Sequence, residues 1–211
     1  MSSKKVEEYN SWYFYRFRLN DKSNKGTRWW IDIFIIDTII RQVIQNRSEF
    51  KIDLWRFHRR SAKDKAGHQV SLCCYTTNLN SVKISDFIKR TEEFKILLKS
   101  NLLKKYFMEK GGTEIEGSGD GSWSKEIQKT WPLFIQGASE SILALILFIS
   151  YNFRYSHDLN TILDIEEYYK NINEKLNLLW YNEGGHAFLH HLNALFGYEM
   201  IKTRQTVITS F

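Results

Sequence analysis

The residues best suited to chemistry gather near the C-terminus, in the segment EGGHAFLHHLNALFGYE. Glu183, His186 and His190 stand at i, i+3 and i+7 and so share one face of an α-helix. His186 and His190 have the i, i+4 spacing of two metal ligands. The glutamate of a His-Glu-x-x-His zinc helix is missing from its place, however. Three roles stand open for these histidines. They are metal ligation, acid–base or polar contact with a substrate, and flanking of a core face built by Phe188, Leu189, Leu192, Leu195 and Phe196.

A second group surrounds one turn: Arg56, His58, Arg59, Arg60, Lys63, Lys65 and His68. It suits an anion or an acidic peptide, and equally a solvated basic hairpin. Strand alternation puts Trp55, Phe57 and Arg59 on one face, with Arg56 and His58 on the other. His68 is in phase with Val70, Leu72 and Cys74, at the edge of an apolar face, where a structural role is expected. Ser139 and Ser141 flank Glu140 inside an apolar helix and read as a packing contact. Aromatics interleave with bases in WYFYRFR, RWW and LWRFHRR, a pattern of nucleic-acid surfaces. The RNA-recognition signature is absent, as are a P-loop, a dinucleotide fingerprint and a nucleophile elbow. No nucleic-acid partner is expected.

The elements that must position these groups read as a small sheet followed by helices. Residues 12–19 are a strand, 29–46 a helix, 50–59 a second strand and 68–76 a third, in the order β-α-β-β. Residues 85–107 read as helical. The Gly-rich segment 111–124 is expected to be a mobile surface loop. A long helix then runs from about Lys125 to Phe153, with a break or kink at Pro132. Another spans about Leu163 to Trp180. NEGG (182–185) interrupts it, and a last helix runs from His186 to about Thr203. The fold class is α+β: one domain over 1–211, sheet-rich in 1–80 and mainly helical in 81–211.

Composition narrows the class further. The chain has 211 residues, 43% of them hydrophobic and 15% aromatic, enough for a sizeable core and too apolar for a disordered chain. Its net charge of +6 favours an acidic partner. The two cysteines, Cys73 and Cys74, are adjacent and form no disulfide framework, which points to a reduced, cytoplasmic setting. The N-terminus lacks the apolar run of a signal peptide. The most apolar stretch is interrupted by Gln136, Ser139, Glu140 and Ser141, so a buried helix is expected there and no membrane contact.

Three segments, in order, resemble the thiopeptide-type bacteriocin biosynthesis domain, the C-terminal domain of lanthipeptide dehydratases. WRFHRRSAKDKAGHQVSL (55–72) resembles its aromatic-Arg strand, turn and His-Leu-Arg-Leu-Arg strand. LFIQGASESILALI (133–146) resembles its Phe…Asp-Ser…Leu helix. AFLHHLNALFG (187–197) resembles its closing His-x-x-x-Asn-Arg-Leu-x-Gly helix. His68 matches the family histidine, but Val70 and Leu72 replace the two arginines after it. Ala194 replaces the closing arginine beside Asn193, and Leu189 stands where the family has histidine.

In dehydratases this domain eliminates glutamate from glutamylated Ser and Thr, with Arg and His residues doing the work. The missing arginines point instead to the family's small stand-alone branch, the thiopeptide [4+2] pyridine synthases. Those join two dehydroalanines of a modified precursor peptide into a six-membered nitrogen ring and release the leader peptide. The resemblance therefore implies a cofactor-independent macrocyclase without a metal. Tyr181, His186, His190 and His191 would assist amide tautomerisation and the later losses. Arg59, His68, Trp180 and Asn193 would hold the substrate. Arg56, Arg60 and Lys63 would bind an acidic leader, and other biosynthetic enzymes would be further partners. The alternatives are a glutamate-eliminating lyase and a non-catalytic peptide-binding module.

Overall fold

The computed structural model describes residues 9–20, 26–63, 65, 67–153 and 161–198. The fold is α+β. Strand β1 (Ser11–Leu19) leads to helix α1 (Trp29–Phe34), which continues without a break through a π-helical stretch (Ile35–Ile40) into α2 (Arg41–Gln45). Strands β2 (Leu54–Arg60) and β3 (Gln69–Thr76) form the expected hairpin. Helices α3 (Asn78–Arg90) and α4 (Glu92–Lys99) follow, capped by Thr77 and Thr91. These hydroxyls accept from the backbone N–H groups of Asn80 and Phe94, donors that would otherwise have no intrahelical partner.

A fourth strand, β4 (Leu103–Lys110), corrects the purely helical expectation for this region. Its three lysines and one glutamate obscure the apolar alternation, and β1 supplies the pairing. The sheet is antiparallel in the order β2-β3-β1-β4, so residues 11–110 follow the split β-α-β-β-α-β topology of ferredoxin-like sheets. One sheet face carries Tyr13, Tyr15, Phe17, Trp55, Val70, Leu72 and Cys74 into a core shared with the isoleucines of residues 31–40 and with Tyr168, Tyr169 and Ile172.

Beyond the sheet lie a 3-10 turn (Ile115–Ser118), α5 (Lys125–Phe153), α6 (Ile162–Leu179), a π-helix (Trp180–His190) and α7 (His191–Leu195). The glycines of 182–185 do not interrupt the chain's helical course. It runs straight from α6 through the π-helix into α7. Pro132 sits inside α5, which continues past it. The expected last helix stops at Leu195, and Thr203 lies outside the described residues.

Helix α5 is also not the buried helix its composition suggested. Only 22% of its most apolar window is buried, and by length and composition alone it is long enough to cross a membrane. Its buried positions, among them Ser139, Ile146 and Ile149, face β2 and the core, whereas Leu133, Phe134, Leu147 and Phe148 are exposed. Its contact with β2 seals an open sheet edge. The backbone N–H of Trp55 donates to Gln136 Oε1 (3.1 Å) and that of Phe57 to Ser139 Oγ (3.4 Å). A helix thus supplies the partners that a fifth strand would have offered.

Candidate functional site

The site is built around Asp32, in the first turn of α1 and fully buried. A buried carboxylate is tolerable only when charged or polar partners surround it. Arg59 Nε donates to Asp32 Oδ2 at 2.9 Å, and His68 Nε2–H donates to Oδ1 at 2.6 Å. Arg59 also donates through Nη2 to the Trp29 carbonyl and to Asn173 Oδ1, each at 3.3 Å. Its guanidinium lies over the Trp29 ring, 4.8 Å from the centroid, and that ring meets His68 edge-on. One cluster therefore joins α1, β2, the residue just before β3 and α6, and it fixes the guanidinium of Arg59 in place.

Arg59 lines a cavity of 310 Å³, otherwise walled mostly by apolar groups: Phe57 from β2, Ile142 and Leu145 from α5, and Leu176, Trp180 and Phe188 from the C-terminal helices. Glu183 stands at the same cavity. Through Ile142, Trp180, Ala187 and Phe188 the cavity joins an apolar groove of 820 Å³ between α5 and the last helices. Gly184, within the π-helix, stands beside this junction. A Cβ on Gly184 would lie 2.6 Å from Trp180 Cε3, so only glycine lets the Trp180 ring lie against the helix backbone.

Of the residues expected to hold substrate, Arg59 and Trp180 line the cavity, and His68 acts through Asp32 rather than at the wall. Asn193 is half-buried in α7, where its carbonyl accepts from the backbone N–H groups of Phe196 and Tyr198 as the helix ends. Tyr181 is 87% exposed and lines neither the cavity nor the groove. His191 lines the groove, whereas His186 and His190 do not.

The three histidines nevertheless sit together. Their ring centroids are separated by 5.1 Å (His186–His190), 5.1 Å (His186–His191) and 5.6 Å (His190–His191). A π-helical turn closes at i+5, so i+4 and i+5 both flank i, which α-helical spacing does not allow. All three are exposed, and among the described residues no three His, Cys, Asp or Glu side chains are arranged to hold a metal.

Arg56 and Arg60 fall on the sheet face away from the cavity, as the alternation of β2 required. Arg56 Nη2 donates to the Ser118 carbonyl (3.0 Å), and the Trp12 indole N–H donates to the carbonyl of Ile115 (2.9 Å). The Gly-rich segment is thereby tied across one end of that sheet face. Lys63 is exposed in the β2–β3 turn.

Asp32 and Asn173 are the site residues that sequence reasoning missed. A lone aspartate in the run WWIDIF was the available signal, since an acid amid large apolar residues needs a buried partner. A second such acid, Asp37, accepts from Tyr169 Oη at 2.9 Å and faces Arg41 (3.4 Å). Burial and that carboxylate push the Tyr169 phenol well up from its ordinary range.

No protein-family model, no curated protein and no solved structure matches the chain.

Proposed function

We propose that the chain binds a modified peptide in the cavity and groove between β2, α5 and the C-terminal helices and closes a ring there. In this reading it is a macrocyclase of thiopeptide type, joining two dehydroalanines. The observation that carries the reading is Arg59. It is a guanidinium fixed by Asp32 and Asn173 on the wall of an otherwise apolar cavity, and the cavity opens into a groove large enough for peptide side chains. Apolar walls hold two alkenes in contact, and such positioning alone supplies several kcal/mol toward a barrier. Arg59 donates to the oxygen of the amide between the reacting residues, favouring its imidic tautomer, and the Glu183 carboxylate accepts the amide proton.

The bonds then balance. The two methylene carbons join, and the former amide carbon bonds the α-carbon of the second dehydroalanine. Loss of water and of the leader as its carboxamide leaves the aromatic ring. His191, at the groove, is the histidine placed for the later proton transfers, and Arg56 and Arg60 offer the acidic leader a basic sheet face.

Mass spectrometry of a leader-bearing peptide with two dehydroalanines, incubated with the protein, tests the reading. Release of leader carboxamide together with a cyclic product supports it, and Arg59→Ala abolishes the product. Consumption of a glutamylated peptide in a parallel reaction, with the dehydroalanine peptide untouched, would replace cyclisation by glutamate elimination.

A further inference from the structure

The two edges of the sheet are treated differently. The β2 edge is closed by Gln136 and Ser139 of α5. At the other end of the strand order stands β4, with no strand beyond it among the described residues. The hydrogen bonds flanking the β1–β4 ladder fix which groups of β4 face outward. Gly111 N–H donates to the Trp12 carbonyl (2.7 Å), so with Tyr13 opposite Lys110 the pairs Phe14–Glu109 and Arg16–Phe107 are the hydrogen-bonded ones. The N–H and C=O groups of Tyr106, Met108 and Lys110 therefore point away from the sheet.

Beside this edge lies a hollow of 300 Å³, lined by Lys89, Phe94, Leu98, Leu103, Lys104, Lys105 and Tyr106. It has an apolar floor and three lysines around it. The strand itself carries Lys104, Lys105 and Lys110 against one acid, Glu109, which Arg16 already holds at 2.7 Å. Lys89 has Asp86 at 3.8 Å.

We propose that β4 receives an extended acidic peptide as an added strand, with an aliphatic side chain of the peptide seated in the hollow between Leu98, Leu103 and Tyr106. Three features converge on that occupant. Outward main-chain groups are satisfied by another extended chain. The lysine excess pairs with carboxylates and repels a second copy of the same strand. An apolar hollow beside a strand selects a side chain at one position of the added strand. A nucleic acid would use the lysines but not the aligned main-chain groups. The edge lies apart from the cavity, and the inference stands whether or not the ring-closing reaction does.

The test is nuclear magnetic resonance on the full chain with a capped peptide as long as β4, alternating Glu and Val. Expected are slowed hydrogen exchange at the amides of Tyr106, Met108 and Lys110, and at least a tenfold loss of affinity in a Lys104→Glu/Lys105→Glu variant. Met108→Pro removes one outward N–H while leaving the ladder to β1 intact, a placement that edge strands tolerate. It should retain the native spectrum and lose binding. Absence of binding, unchanged exchange at those three amides, equal binding by Met108→Pro, or preference for polyuridylate over the peptide would each overturn the proposal.

Discussion

Asp32 is fully buried and faces two partners, Arg59 and His68. Removing one member of a buried ionic cluster leaves the others desolvated and uncompensated, at a cost of about 3–5 kcal/mol. Asp32→Ala is expected to lower stability by that amount in urea unfolding. Asp32→Asn keeps the shape and one acceptor and should cost less. At the cavity, Gly184→Ala brings a methyl group into the Trp180 ring. Overpacking of this kind costs about 1–3 kcal/mol. Because the displaced ring walls the cavity, the same variant should lose ligand binding, readable as loss of quenching of tryptophan fluorescence by an apolar ligand. The face that Arg59 shares with Trp55 and Phe57 was legible from strand alternation. Asp32 was not, because nothing local says which distant base will face a buried acid.

At the scale of elements, the contact of α5 with β2 rests on two side-chain acceptors. Gln136→Leu strands the Trp55 N–H at a covered edge. The unmet donor should cost about 1–3 kcal/mol and speed hydrogen exchange at that amide while sparing the amides of β1. Ser139, which sequence reading placed at a packing contact, also bonds the strand, and an apolar helix with a serine at the right turn does not reveal that by itself. The π-helix was likewise invisible in the sequence. Its i+5 closure brings His191 beside His186, whereas a period of 3.6 sends the two to different faces. Strand β4 was missed because lysines occupy both faces of a short edge strand, which removes the alternation that identifies strands.

Phenols and thiols are packed in and against the core. Tyr15, Tyr106, Tyr169, Cys73 and Cys74 all have their titration pushed upward, chiefly by burial. Their protonated forms are favoured in the folded state, so the unfolded chain loses protons first as pH rises. Stability from these groups is whole below the pH at which unfolded Cys and Tyr titrate, about 8.5 to 10. It declines above that range. The part of the urea midpoint that these groups supply should stay constant up to about pH 8 and fall steadily once the pH passes about 9. Cys73→Ser/Cys74→Ala should shift the onset toward tyrosine alone.

What the sequence determined by itself was local. Residue alternation set the two faces of β2, hydrophobic periodicity set the helices of residues 29–45 and 162–179, and composition set an α+β core. Each follows from side-chain geometry within one element, which any short window of residues expresses. Tertiary structure alone decided the pairing of β4 with β1, the sealing of β2 by α5, the exposure of an apolar helix and the meeting of Asp32 with Arg59 and His68. Those depend on which residues far apart in the chain exclude water together. The free energy of that exclusion belongs to the pair rather than to either residue, so no reading of one segment contains it.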